Sequence, residues 1–187
     1  MIMKNIYTVY FSPTGGTKKV ATALSNNLSQ LLHIPSQSID LTLPANRQIS
    51  YPFDSDSLVI LAVPVYAGRI PNKLLPDLEK CLNGNGKTAI IPVSVYSNRN
   101  YDEALRELLL LVEKHGFIPM GALAMISRHA FDIQEIFIFF LYIFDHFSGN
   151  TTLWIAFFLI VFPADYNMHI LLPVCHRKSK NLLPAHQ

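Results

Sequence analysis

Hydrophobic and polar positions along the chain alternate between two periods. Residues 6–11 are β-branched and aromatic and stop at turn residues, which predicts a strand. Residues 17–32 then place Val20, Leu24, Leu28, Leu31 and Leu32 at helical spacing, which predicts a helix. A second strand is expected at 36–41, followed by a connection rich in Pro, Asn and Ser. Residues 57–63 form an unbroken apolar run, and residues 87–93, after the turn residues Asn83, Gly84, Asn85 and Gly86, read as another buried strand. Unbroken runs of this length suit strands buried on both faces. Between them lie a loop at 64–71 and a short helix at 72–81 carrying Leu74, Leu75 and Leu78. A loop at 94–101, a helix at 102–115 with Leu105, Leu108, Leu109 and Val112 on one face, and a fifth strand at 117–126 complete the pattern.

Strands that alternate with helices pack as a parallel sheet with helices on both faces. Ligands on such sheets bind outside the carboxyl ends of the strands. The loops 12–17, 64–71 and 94–101 all leave those ends, so all three are expected to converge on one edge.

Composition narrows the classes. At 187 residues the chain can build an ordinary core without staples. A net charge of +2 is too small to argue for a nucleic-acid partner. The two cysteines, Cys81 and Cys175, have no Cys-x-x-Cys spacing, so neither a disulfide framework nor a metal or iron–sulfur site is expected from them. The start of the chain leads straight into a strand without the pattern of a signal peptide, and a cytoplasmic location is expected. Composition then shifts near Phe131, with nine of the 12 phenylalanines at or beyond that residue. Residues 1–131 therefore read as one domain and 132–187 as a tail of different character.

The densest chemistry lies at 12–17, Ser-Pro-Thr-Gly-Gly-Thr. Three hydroxyls (Ser12, Thr14, Thr17) and two glycines (Gly15, Gly16) sit between a predicted strand and a predicted helix, with Pro13 among them. Glycines let a backbone approach a ligand and turn its N–H groups inward, and the following helix aims its positive end at the same place. This is a phosphate cradle with no basic residue inside the loop, since Lys18 and Lys19 come after it. A plain helix cap accounts for one hydroxyl but not for three with two glycines. The spacing matches neither the P-loop nor the Rossmann glycine pattern.

The stretch resembles the phosphate loop of flavodoxins, Thr/Ser-x-Thr-Gly-x-Thr, with Ser12, Thr14, Gly15 and Thr17 at the matching positions. The second loop reads Pro64-Val65-Tyr66-Ala67-Gly68-Arg69, and the third Ser94-Val95-Tyr96-Ser97-Asn98-Arg99-Asn100-Tyr101. Together the three look like the flavodoxin-like half of bacterial flavodoxin–ferredoxin fusion proteins, whose third loop carries Asn-Arg-x-Tyr, here Asn98, Arg99 and Tyr101. The resemblance covers about residues 4–131. It implies an α/β fold of three layers, α/β/α, with a parallel five-stranded sheet of order 2-1-3-4-5 and a bound FMN.

On that resemblance the phosphate falls to residues 12–17, and the ring falls to Pro64, Val65, Tyr66, Ala67, Gly68, Ser94, Val95, Tyr96, Asn98 and Tyr101. Flat aromatic faces suit an isoalloxazine ring, and an amide such as Asn98 suits its polar edge. Tyr66 and Tyr96 are read as walls of the ring, and Tyr101 as either a wall or a cap for the following helix. Arg69 and Arg99 are read as solvated or structural, and His129 as structural. No catalytic acid–base set is visible. The expected function is an electron carrier between redox protein partners, of ferredoxin or reductase type. The alternatives are an FMN-dependent NAD(P)H oxidoreductase with a small acceptor, or a non-functional remnant of a fusion protein.

The tail departs from the family pattern. Residues 136–144 and 153–162 are apolar on all sides, separated by a polar break containing Asp145, His146 and Asn150. Neither run reaches the ~20 residues of a membrane-spanning helix. The preferred reading is an aberrant end in place of the family's Cys-x-x-Cys module. A membrane-associating segment through 136–162 and a hydrophobic cover for the sheet are the alternatives.

Overall fold

The computed structural model describes residues 3–97 and 100–127, together with the backbone of Leu141–Tyr142. The expectations placed on Asn98, Arg99, His129 and the two apolar runs of the tail lie outside the described residues, apart from that pair.

The first strand, β1 (Asn5–Tyr10), turns through 11–15 into α1 (Gly16–Leu32), and β2 (Ser36–Asp40) returns beside β1. A short 3-10 helix (Pro44–Gln48) and β3 (Tyr51–Phe53) lead to β4 (Ser57–Pro64). Then come α2 (Leu75–Cys81), β5 (Leu82–Gly84), β6 (Thr88–Tyr96), α3 (Ala104–Lys114), β7 (Phe117–Pro119) and β8 (Ala122–Ile126). The pair β9 (Leu141–Tyr142) lies antiparallel on the outer edge of β8.

The main sheet runs β2-β1-β4-β6-β8, and all four of these neighbour pairs are parallel. Counting these five strands in chain order gives 2-1-3-4-5, the flavodoxin-like doubly wound order. Side chains alternate strictly across the sheet, as a pleated strand requires. Leu58, Ile60 and Ala62 meet Val20, Ala21, Leu24 and Leu28 of α1 on one face. Val59, Leu61 and Val63 meet Leu78 of α2 and Leu108, Leu111 and Val112 of α3 on the other. Both faces being covered explains why β4 and β6 carry apolar residues without polar alternation. One polar pair crosses the α1 layer, where buried Thr8 Oγ1 donates to Ser25 Oγ at 2.6 Å.

Three features differ from the sequence expectations. The fourth strand of the pattern does not stop at Val93; β6 continues to Tyr96. The fifth strand is broken in two. From Ile90↔Pro119 to Val93↔Leu123 the register advances three residues on β6 and four on its partner, so one extra residue bulges out near Met120. The Met120 N–H still donates to the Ile90 carbonyl at 2.8 Å. The third difference is a second, parallel pair, β3 with β5, which the Pro52 and Gly84 positions had hidden. Its Phe53 ring lies 5.2 Å from Tyr7 and 5.9 Å from Phe117, closing the lower end of the α2/α3 core.

Among the described residues, no helix is long and apolar enough to cross a membrane. No cluster of three or more His, Cys, Asp or Glu side chains among them is placed to hold a metal ion.

Candidate functional site

The 11–15 turn begins where β1 loses its neighbour. Phe11 N–H still donates to the Ala62 carbonyl, at 3.1 Å, and beyond it the chain folds over the end of the sheet. Ser12 organises the turn. Its N–H donates to Thr42 Oγ1 at 3.0 Å, its carbonyl accepts from Gly15 N–H at 3.2 Å, and its Oγ accepts from Lys18 N–H at 2.8 Å. One of the first-turn N–H groups of α1 is thereby satisfied by a side chain three residues before the N-cap.

The N-cap itself is Gly15, at φ 83 and ψ −16, and Lys19 N–H makes the first helical bond to its carbonyl at 3.1 Å. A Cβ placed on Gly15 would meet nothing within 4 Å, so the space above this backbone is open. The N–H groups of Thr14, Gly16 and Thr17 have no hydrogen-bond acceptor among the described residues. That leaves three donors at the positive end of a 17-residue helix, beside an open space. Thr17 is buried at 4% exposure while Thr14 is exposed. Lys18 sends its Nζ over the Tyr10 ring, 5.8 Å from the centroid.

The second loop leaves β4 still paired, with Val65 N–H donating to the Val95 carbonyl at 2.8 Å. It then closes a two-residue turn. Tyr66 N–H donates to the Arg69 carbonyl at 2.9 Å and Arg69 N–H to the Tyr66 carbonyl at 3.1 Å. Both central residues are left-handed, Ala67 at φ 51 and Gly68 at φ 78, as a type I′ turn requires. Tyr66 stands out of this turn with 48% of its surface exposed.

The end of the loop is tied down. Arg69 pairs with Glu107 of α3, and Ile70 N–H donates to the second carboxylate oxygen of the same residue at 3.0 Å. Burial would push the Glu107 carboxyl up, but the bonds from Arg69 and Ile70 and the charge of Arg69 outweigh it and hold it below its ordinary value. The structural reading of Arg69 therefore fits its ion pair.

The third loop is shorter than the sequence suggested. Ser94 and Val95 were expected in the loop, but both are strand residues with 0% and 4% exposure, so neither side chain lies on an open edge. Val95 packs in the α1 layer. Ser94 lies opposite Val63 and Ala124 on the α3 side, and its Oγ has no hydrogen-bond partner among the described residues. Tyr96 and Tyr101 do come together, with ring centroids 5.7 Å apart and planes tilted by 57°. Both pack on Leu105, Leu109, Ala122 and Ala124. Burial, and then the charge of Tyr101, raise the Tyr96 phenol above its ordinary value. The Tyr101 carbonyl accepts from Ala104 N–H at 2.9 Å at the start of α3, so its backbone caps the helix while its ring meets Tyr96.

Of the sequence candidates, residues 12–17, 64–68, Tyr96 and Tyr101 lie at the carboxyl ends of β1, β4 and β6. Three further residues shape this edge without having been singled out. Thr42 braces Ser12 and is itself oriented by its N–H bond to Asp40 Oδ1 at 2.8 Å. Glu107 anchors the second loop, and Asp102 packs against Gly68. The Asp40-x-Thr42 turn at the end of a predicted strand was a usable signal for the first. Nothing local marks the other two, because their partners are distant in sequence.

No protein-family model and no curated protein matches the chain. Among solved structures, a flavodoxin from Streptococcus pneumonia is similar with a TM-score of 0.48 and 17% identity, over 66% of this chain and 83% of its own. A flavodoxin from the domain Archaea has a TM-score of 0.47 and 16% identity, over 67% of this chain and 85% of its own. An azoreductase from Bacillus anthracis has a TM-score of 0.47 and 11% identity, over 66% of this chain and 87% of its own. The flavodoxin-like fold of residues 3–127 itself rests on the strand order, the parallel pairing and the two helical layers.

Proposed function

We propose that the chain is an FMN-binding flavoprotein that carries electrons between redox protein partners. The observation that carries this reading is the first loop. Three backbone donors with no acceptor among the described residues, a left-handed glycine beside open space and the end of α1 form a cradle suited to a phosphate monoester. The cradle fits the cofactor, and the aromatic residues of the same edge fit its ring. Thr14, Gly16 and Thr17 would hold the phosphate through their N–H groups, with the hydroxyls of Ser12, Thr14 and Thr17 as neutral donors. Tyr66 on one loop and the Tyr96–Tyr101 pair on another would flank the ring, with the 65–68 backbone and Asn98 at its polar edge.

FMN supplies one- and two-electron chemistry when bound. The chain's own residues bind and orient it. The Tyr96 and Tyr101 rings, seated on Leu105 and Leu109, present an apolar wall that limits water at that side. The neutral loop leaves phosphate charge to be met by backbone dipoles and by Lys18 and Lys19 just beyond it. The resemblance of the three loops to flavodoxin–ferredoxin fusion proteins supports a ferredoxin-type or reductase partner and a cytoplasmic setting.

The test is direct. The purified chain is expected to show the blue and near-ultraviolet absorption of a bound flavin, or to acquire it with added FMN. A colourless protein that does not bind added FMN overturns the reading. With flavin bound, turnover of NAD(P)H against a quinone or ferric acceptor would mark a self-contained oxidoreductase, and its absence supports a carrier.

A further inference from the structure

We infer that Glu107 is a positioning residue for the cofactor edge, holding the 65–70 loop on α3 so that Tyr66 is presented beside the third loop. The inference rests on the FMN reading above.

Glu107 lies in the first turn of α3, and its two oxygens do different work. One pairs with the Arg69 guanidinium; the other accepts the Ile70 N–H at 3.0 Å. The bond to Ile70 matters because the Ile70 side chain, 2% exposed, is seated in the α2/α3 core. Its N–H is thus fixed next to the core and would lose its acceptor if the carboxylate left.

A second contact joins the same loop to the start of α3. Gly68 closes on the Asp102 side chain, so the loop is held at Gly68 and again at Arg69–Ile70. The turn that ends at these anchors contains two left-handed residues, Ala67 and Gly68. A strained turn of this kind persists only where its surroundings hold it. Tyr66 is carried by that turn, and Tyr96 and Tyr101 pack on Leu105 and Leu109 of the same helix. One helix therefore frames both aromatic walls.

Arg69 from the loop faces the carboxylate, and the charge of Glu103, one turn earlier on α3, also acts on Arg69. Glu103 in turn pairs with Arg106 at 3.4 Å. The Glu107 carboxyl is held below its ordinary value, so the anchor is charged at neutral pH. An exposed ion pair contributes little by itself. The bond to the Ile70 N–H, on the residue that follows the strained turn, is what separates Glu107 from an ordinary surface pair.

The test uses the full chain and two variants, Glu107→Leu, which removes both acceptor oxygens, and Arg69→Met, which removes only the guanidinium. Amide hydrogen exchange of the flavin-free protein is read at residues 66–70, and FMN and riboflavin affinities are read by fluorescence quenching. Glu107→Leu is expected to speed exchange at Ile70, whose N–H then has no acceptor there, while β1 and α1 are unchanged. It is expected to weaken FMN and riboflavin binding by the same factor, about tenfold, since the loop touches the ring and not the phosphate. Arg69→Met keeps the Ile70 bond and is expected to weaken both by a smaller factor. Unchanged exchange at Ile70, or unchanged affinity in a Glu107→Leu protein whose wild type binds FMN, overturns the inference; should that variant not fold, Arg69→Met decides by affinity, an equal loss for both flavins supporting the inference and no loss overturning it. A wild type that binds neither flavin overturns the FMN reading instead, while the exchange rates still show whether Glu107 holds the loop.

Discussion

Gly68 and Asp102 meet with no room for a side chain between them: a Cβ on Gly68 would lie 2.8 Å from the Asp102 Cβ, and closer still to its carboxylate. Both residues are left-handed, Gly68 at φ 78 and Asp102 at φ 41. Two loops that leave different strands are thus pressed together at the edge where the ring would sit.

Gly68→Ala meets both penalties, backbone strain of about 1–2 kcal/mol and overpacking of about 1–3 kcal/mol. Gly15→Ala, at φ 83 with open space around its Cβ, meets the first alone. Denaturant unfolding is therefore expected to show the larger loss for Gly68→Ala. Adding Asp102→Gly removes the Asp102 Cβ and carboxylate together and should recover most of the difference. Equal losses at the two glycines, or no recovery, would contradict the close approach.

Ser12 is expected to separate phosphate from ring recognition. Ser12→Ala takes away the acceptor of the Lys18 N–H, at a cost of about 1 kcal/mol to stability. It also loosens the turn that aims the Thr14, Gly16 and Thr17 donors. FMN affinity should fall several-fold more than riboflavin affinity, because only FMN carries the phosphate. A parallel loss for both flavins would place the phosphate elsewhere.

Thr8 and Ser25 test the α1 layer apart from any ligand. They are 0% and 3% exposed, and they bond to each other at 2.6 Å. Ser25→Ala leaves the Thr8 hydroxyl buried without its partner and should cost about 1–3 kcal/mol in urea unfolding. Thr8→Val with Ser25→Ala removes both polar groups and should lie closer to wild type than the single change. A double variant as weak as the sum of the two singles would deny the pairing.

Cys81 provides a pH prediction. Its thiol is 1% exposed, and burial is the main cause that pushes it from 9.0 up to about 11, with the charge of Asp77 adding to it. The folded state favours the protonated thiol, so its contribution is complete below the unfolded value and fades as pH rises through about 11. In a Cys175→Ala background, Cys81 should resist a thiol reagent at pH 8 until the protein is unfolded. Rapid labelling of the native protein would show that the thiol is reachable.

The parts of the fold that were legible share a cause. Residues 58–63 and 89–93 are apolar without alternation, and only a strand covered on both faces asks for that. Alternation with helical segments then puts three loops on one edge. The limits of the third loop were not legible. Ser94 reads as a turn residue, yet its backbone extends β6 between β4 and β8 and its hydroxyl is buried. The bulge near Met120 and the β3–β5 pair were also hidden, because a register shift and a three-residue strand leave no periodic trace.

Glu107 shows the other limit. On the helix it is one more polar residue on an α3 turn, and its partners Arg69 and Ile70 lie 38 and 37 positions away. The same holds for Asp102 with Gly68 and for Thr42 with Ser12. Local chemistry determines where the chain can turn, which segments must be buried and where hydroxyls and glycines gather into a cradle, since these depend on neighbours in sequence. The tertiary structure decides which side chains brace that cradle and its tyrosines. Those contacts join elements that only the packing of the sheet brings within hydrogen-bond distance.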